Sequence, residues 1–317
     1  MVNPSPLLKF DGAVEADPPD EGVAAHYGSN TREQRRFEDG DGFVDLSHRD
    51  VLTISGPDRL GWLHSLTTQA FENLEPGHHV QALLLSPQGR VEHGFVGVDD
   101  GETFWAHTEP GYGDALRGWL DSMRFMMRVE VTDVTDSWAV VGKPGLTYEV
   151  IERSRLETYA DAAGAPVGVW AWEASRIAAG LPRLGLDTDE RAIPNELGWL
   201  STPDRESAVH LDKGCYRGQE TVARVHTLGR PPRRLTLLHL DGAAEHLPAH
   251  GSALTLDDRT VGVVGSAARH YELGPIALGI VKRNVATDAT LLADGVAAAQ
   301  EVLVDPEVGL HVRPALR

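Results

Sequence analysis

Only one cysteine, Cys215, occurs in 317 residues. That excludes an intramolecular disulfide, and it excludes a four-thiolate iron–sulfur or zinc site built by this chain alone. It fits a reducing compartment. No run of eighteen apolar residues occurs, and the start of the chain is acidic and proline-rich rather than basic then apolar. Neither a membrane span nor a secretory signal is expected, and the chain reads as cytoplasmic. A Walker loop, a GxGxxG turn and a GxSxG elbow are all missing, which removes the commonest nucleotide and hydrolase signatures. Fourteen histidines are present, yet none falls in HExxH or another ligand spacing, so no metal site is expected. Positive charge is scarce as well. A net charge of −18 argues against general nucleic-acid binding, because phosphates would be repelled by most of the surface.

What is there suits two or three domains with a sizeable core. Residues 1–41 are rich in Pro, Gly, Asp and Glu and read as an extended or partly disordered lead-in. From Gly42 strands and helices mix without the regular alternation of a parallel sheet, an α+β pattern. Val51 to Ile54, Val80 to Leu85 and Val91 to Val98 read as strands, and Gly113 to Met127 as a helix striped by Leu116, Trp119, Leu120 and Met123. Trp170 to Ala179 and Gly218 to Val225 read as further helices. After Pro231-Pro232, short apolar runs alternate with Gly/Asp turns, the texture of a small β-barrel. The divisions expected are 42–145, 146–230 and 231–317.

Chemistry concentrates in Lys213-Gly214-Cys215-Tyr216-Arg217-Gly218-Gln219-Glu220. A thiol between Lys213 and Arg217 is placed where a thiolate is stabilised, and two glycines free the backbone to approach a ligand. The alternative is a surface loop whose cysteine is a small apolar filler. From Arg205 to Arg234 seven Lys/Arg stand against three acids, a local +4 on an acidic chain. Such an island suits an anionic ligand, or else a solvated basic face.

Lys213 to Glu220 resembles the K-G-C-Y-x-G-Q-E signature of the YgfZ-like folate-binding proteins, relatives of the glycine-cleavage T-protein. Asp45-Leu46-Ser47, Leu83 to Arg90, Arg176-Ile177-Ala178-Ala179-Gly180 and Ile193-Pro194-Asn195-Glu196 resemble other family segments. The resemblance implies a three-domain ring of the glycine-cleavage T-protein type with a C-terminal β-barrel, around a hole that holds tetrahydrofolate or a one-carbon derivative. It implies a protein that assists iron–sulfur enzyme maturation or repair, with Cys215 as the reactive group, Lys213 and Arg217 favouring its thiolate, and iron–sulfur proteins or their assembly factors as partners. For the folate, Trp172, Trp199 and Tyr216 are candidates to stack on a ring, core packing being the alternative for each tryptophan. Arg176, Gln219, Glu220 and Arg224 are further candidate contacts, with ion pairing to nearby acids the alternative for Arg217 and Arg224.

Two departures from the family pattern stand out. Glu92 and His93 replace the paired aspartates of the aminomethyltransferases, and Ala178 replaces a glutamate that holds the pterin N–H donors. Glu173 and Glu196 are the candidate substitutes for that glutamate. Two other readings stay open: a folate-dependent one-carbon transferase using Glu92 or His93 as acid–base group, and a non-catalytic folate-sensing module.

Overall fold

The computed structural model describes residues 3–202 and 205–312. Its centre is a five-stranded antiparallel sheet in the order His79–Leu85, Val91–Asp99, Thr103–Thr108, Asp50–Ser55, Glu130–Asp133. One face carries Leu52, Ile54, Ala82, Leu84, Phe95 and Phe104, and Trp62, Leu63, Leu116 and Leu120 from the helices Arg59–Leu66 and Gly113–Ser122 cover it. The second of these helices stops five residues short of the span expected. There the Trp62 Nε1–H donates to the Met123 carbonyl, and the Arg128 guanidinium and amide fasten onto Asp58. Those anchors turn the chain back into the sheet and leave Phe125 and Met126 exposed.

A four-stranded sheet runs Thr147–Glu152, Trp138–Lys143, Phe43–Asp45, Pro166–Val167, and only its last pair is parallel. It draws strands from both sides of the division expected after residue 145. The Val169–Ala178 helix packs beside it, its Trp172 ring lying where a Cβ on Gly142 would intrude to 2.7 Å. Glycine there makes room for the indole.

Residues 3–40 are folded, against the expectation of an extended or partly disordered lead-in. Val14–Glu15 pairs with Ala24–His26, and the Asn30–Glu38 helix packs on Val169–Ala178. Leu7, Val23, Ala25 and Phe37 are buried. Average polarity misleads here because several acids are structural. Glu33 accepts from the amides of Tyr27, Ser29 and Gly168, and Asp20 is gripped by His48 and Arg183. A few apolar residues suffice when the polar ones are fully partnered.

After Pro231-Pro232 six antiparallel strands close a barrel: Arg233–Leu240, Gly274–Lys282, Arg259–His270, Ala253–Leu256, Leu291–Ala293, Val296–Val302. Leu238, Leu254, Val264, Ala277 and Leu291 fill it. The α+β class with a C-terminal barrel is the class expected from the sequence. Polar joints tie the barrel to the rest. Asp187 accepts from the Ser266 amide and hydroxyl on one oxygen, and from the Arg176 guanidinium and Arg183 amide on the other. Arg233 forks onto Asp189 and Glu196.

Candidate functional site

The cysteine motif is a loop pinned at both ends. Gly218, at φ +82°, precedes the Gln219–Leu228 helix, and a Cβ on it would lie 2.5 Å from the Ser86 carbonyl oxygen. Opposite stands Gly89, φ +75°, whose own Cβ would meet Thr221 at 2.7 Å. Loop and hairpin turn therefore meet backbone against backbone, an approach open only to glycine. Tyr216 sinks into a core with Leu83, Val91, Trp199 and Val222, and burial pushes its phenol up to about 12. Gly214 faces open space and Cys215 is an exposed, free thiol.

The two cations flanking that thiol have other tasks. Lys213 is buried, and its Nζ donates to the carbonyls of His64, Thr67 and Gln69, closing the C-terminal end of the Arg59–Leu66 helix. Arg217 pairs with Glu92 at 2.9 Å. The sequence placed both beside a thiolate; the structure gives each a different partner. Glu92 and His93 stand with Ser86, Arg90, Trp119 and Arg217 around an open groove beside the loop. Burial holds the His93 imidazole below its ordinary range, and its Nδ1 has no partner among the described residues.

A second feature lies farther along the same hairpin. Gln81, Leu83, Gly94 and Val96 from its two strands join Arg49, His107, Glu109, Tyr148, Trp172, Arg176, Arg183 and Trp199 around a central cavity. It adjoins a cavity of about 350 Å³ lined by Tyr148, Leu181, Trp199 and Arg205. Leu83 and Ser86 are three residues apart, so about 10 Å of strand separates the cavity wall from the turn that docks the motif. Tyr148 packs against Trp172 at 5.1 Å and against His107 at 4.5 Å, both rings tilted to it by about 55°, and the Arg49 guanidinium lies 5.4 Å from the Tyr148 ring centre.

An ion network supports these walls. Arg183 binds Asp20, Glu109 and Glu173; Arg176 binds Glu173 and Asp187; Arg49 reaches Glu109. Burial alone would raise the Glu109 carboxyl, but the Arg49 and Arg183 guanidiniums outweigh it and hold its pKa at about 2. Burial, with Arg49 beside it, pushes the His107 imidazole well below its ordinary range and keeps it neutral. His107 is only 3% exposed, yet neither ring nitrogen has a hydrogen-bond partner among the described residues, and neither has Arg49 Nε. Each orphaned buried polar atom costs roughly 1–3 kcal/mol, and three of them belong to residues lining this cavity.

The structure separates the residues singled out from sequence. Trp172, Trp199 and Arg176 line the central cavity. Tyr216 belongs to the core, while Gln219, Glu220 and Arg224 sit on the Gln219–Leu228 helix and line neither central cavity. Glu173 and Glu196 are both committed to arginines, Glu196 accepting from Arg233 on both oxygens. The basic island disperses too. Arg230 pairs with Glu307, Arg233 and Arg234 are held at the barrel, and Arg205 alone of the seven lines a central cavity. Sequence reasoning missed Arg49, His107, Glu109, Tyr148 and Arg183. Two signals were present: a histidine on an otherwise buried strand, and an arginine just after Asp45-Leu46-Ser47.

Residues 23–145 match the family model described as the GCVT N-terminal domain. Over 321 residues the chain is 25% identical to a chloroplastic candidate transferase of Arabidopsis thaliana, covering 84% of this chain and 71% of that protein. A shorter match, 32% identical over 117 residues, is to the tRNA-modifying protein YgfZ of Escherichia coli, and covers 36% of this chain and 34% of that protein. The crystal structure of the glycine cleavage system aminomethyltransferase T from Bartonella henselae superposes with a TM-score of 0.78 at 18% identity, over 97% of this chain and 98% of that one. Fold, domain match and relatives point the same way: residues 23–145 are similar to the GCVT N-terminal domain, the whole chain has the fold of a glycine-cleavage aminomethyltransferase, and its relatives include aminomethyltransferases and a YgfZ protein.

Proposed function

We propose that the protein binds tetrahydrofolate, or a one-carbon derivative, in the central cavity and assists the maturation or repair of iron–sulfur enzymes through Cys215. The observation that carries this reading is the pairing of an exposed single thiol on an anchored loop with an aromatic cavity on the same hairpin. The residues present fit a folate. Tyr148, Trp172 and Trp199 offer faces for a flat ring, orphaned polar atoms on His107 and Arg49 await partners, and Arg205 stands in the adjoining cavity for an anionic glutamate tail. Bound tetrahydrofolate would supply one-carbon chemistry at N5 of its reduced ring and the neighbouring N10. With one cysteine in the chain, Cys215 acts singly, as a nucleophile or as a transient ligand whose other donors come from a client protein. The YgfZ relative is named a tRNA-modifying protein, and enzymes that modify tRNA are the clients proposed. The setting is cytoplasmic, and among the described residues no helix is long and apolar enough to cross a membrane.

Titration of tetrahydrofolate against tryptophan fluorescence tests the binding claim, since Trp172 and Trp199 line the cavity. Saturable quenching is expected, and no response at millimolar ligand overturns it. A one-carbon transferase is the second reading, favoured by the transferase names of two relatives. Because Arg217 holds Glu92, neutral His93 would be its base. Incubation with methylene-tetrahydrofolate and amine or thiol acceptors, without folate interconversion, counts against that second reading.

A further inference from the structure

We propose that His107 and Arg49 read the lactam edge of the bound pterin, its adjacent N3–H and C4 carbonyl. This rests on the reading that the central cavity holds a folate. His107 is buried in the cavity wall with both ring nitrogens unpartnered, and Arg49 Nε is unpartnered beside it. Both side chains pack on the Tyr148 ring, at 4.5 and 5.4 Å, so they border one aromatic surface. The carboxylates nearby are taken: Glu109 by Arg49 and Arg183, Glu173 by Arg176 and Arg183.

A carboxylate offers two acceptors and suits two adjacent N–H donors. A neutral imidazole beside a guanidinium N–H offers one acceptor and one donor, and suits an N–H next to a carbonyl. A 4-amino ring, which carries no C4 carbonyl and no N3–H, lacks both partners.

The test measures binding of 5-formyltetrahydrofolate by tryptophan fluorescence to wild type, His107→Phe and His107→Gln, together with thermal unfolding. Competition by folic acid and by aminopterin, its 4-amino counterpart, reads the edge directly. His107→Phe is expected to weaken 5-formyltetrahydrofolate about tenfold or more, while its melting temperature holds or rises because two orphaned nitrogens are gone. His107→Gln, which keeps an acceptor, retains affinity within about threefold. Wild type prefers folic acid to aminopterin, and His107→Phe loses that preference. Equal affinity in His107→Phe, or a wild type indifferent to the 4-substituent, overturns the assignment to His107 and Arg49. A wild type that binds none of the three ligands overturns the folate reading itself, and the assignment with it.

Discussion

At the scale of single residues, two cavity-wall groups from one stretch of chain are held in opposite charge states. His107 is kept neutral and Glu109 is kept charged. The Glu109 carboxyl sits at about 2 in the fold against 4.5 when unperturbed. Its folded pKa is depressed, so its contribution is complete above the unfolded value and is lost as pH falls from about 4.5 towards 2. Over that interval the charged carboxylate contributes roughly 3 kcal/mol. Glu109→Gln is expected to lose about that much at neutral pH and to flatten the stability profile between pH 5 and 2, measured by urea unfolding across pH. An unchanged profile would remove Glu109 from the ion network. None of this was legible in the sequence, because the guanidinium that bonds Glu109 belongs to Arg183, 74 residues away. An isolated acid looks the same whether it is solvated or paired.

Among elements, the decisive contact is between the Ser86–Arg90 turn and the Gly218 loop. Gly218→Ala forces a side chain into positive φ and a Cβ to within 2.5 Å of a carbonyl oxygen, at a cost of about 3 kcal/mol. Lys213→Met strips three helix-end carbonyls of their donor, a loss of roughly 2–3 kcal/mol. Both variants should lower the unfolding midpoint and speed proteolysis between residues 210 and 220. If Lys213→Met unfolds like wild type, the lysine is not the anchor described. The elements themselves were legible where the signal was local: the barrel strands alternate between Gly/Asp turns, and the motif helix begins straight after a glycine. Residues 3–40 were not, since their stability comes from long-range partners such as Arg183 on Asp20 and Gly168 on Glu33. The cations beside Cys215 misled for a related reason. Nearness in sequence placed them at the thiol, while geometry sends Lys213 inward and Arg217 to Glu92.

For the whole molecule, one carboxylate joins the barrel to the cavity wall. Asp187 holds Ser266 with one oxygen and both Arg176 and the Arg183 amide with the other. Asp187→Ala leaves those buried donors unpaired, at about 4 kcal/mol, and should split calorimetric unfolding into two transitions as the barrel uncouples. A single transition at the wild-type temperature would show that the joint lies elsewhere. The chain's basic residues, which looked like one patch from Arg205 to Arg234, are spread by the fold over barrel, loop and cavity mouth. What remains at the molecular surface is one thiol above a hairpin that also walls the cavity. The most direct measurement is iron–sulfur enzyme activity in a deletion strain complemented with wild type or Cys215→Ala, each variant first titrated with 5-formyltetrahydrofolate. The account predicts that Cys215→Ala binds the folate as wild type does and fails to restore the enzymes. Full restoration by Cys215→Ala would contradict it.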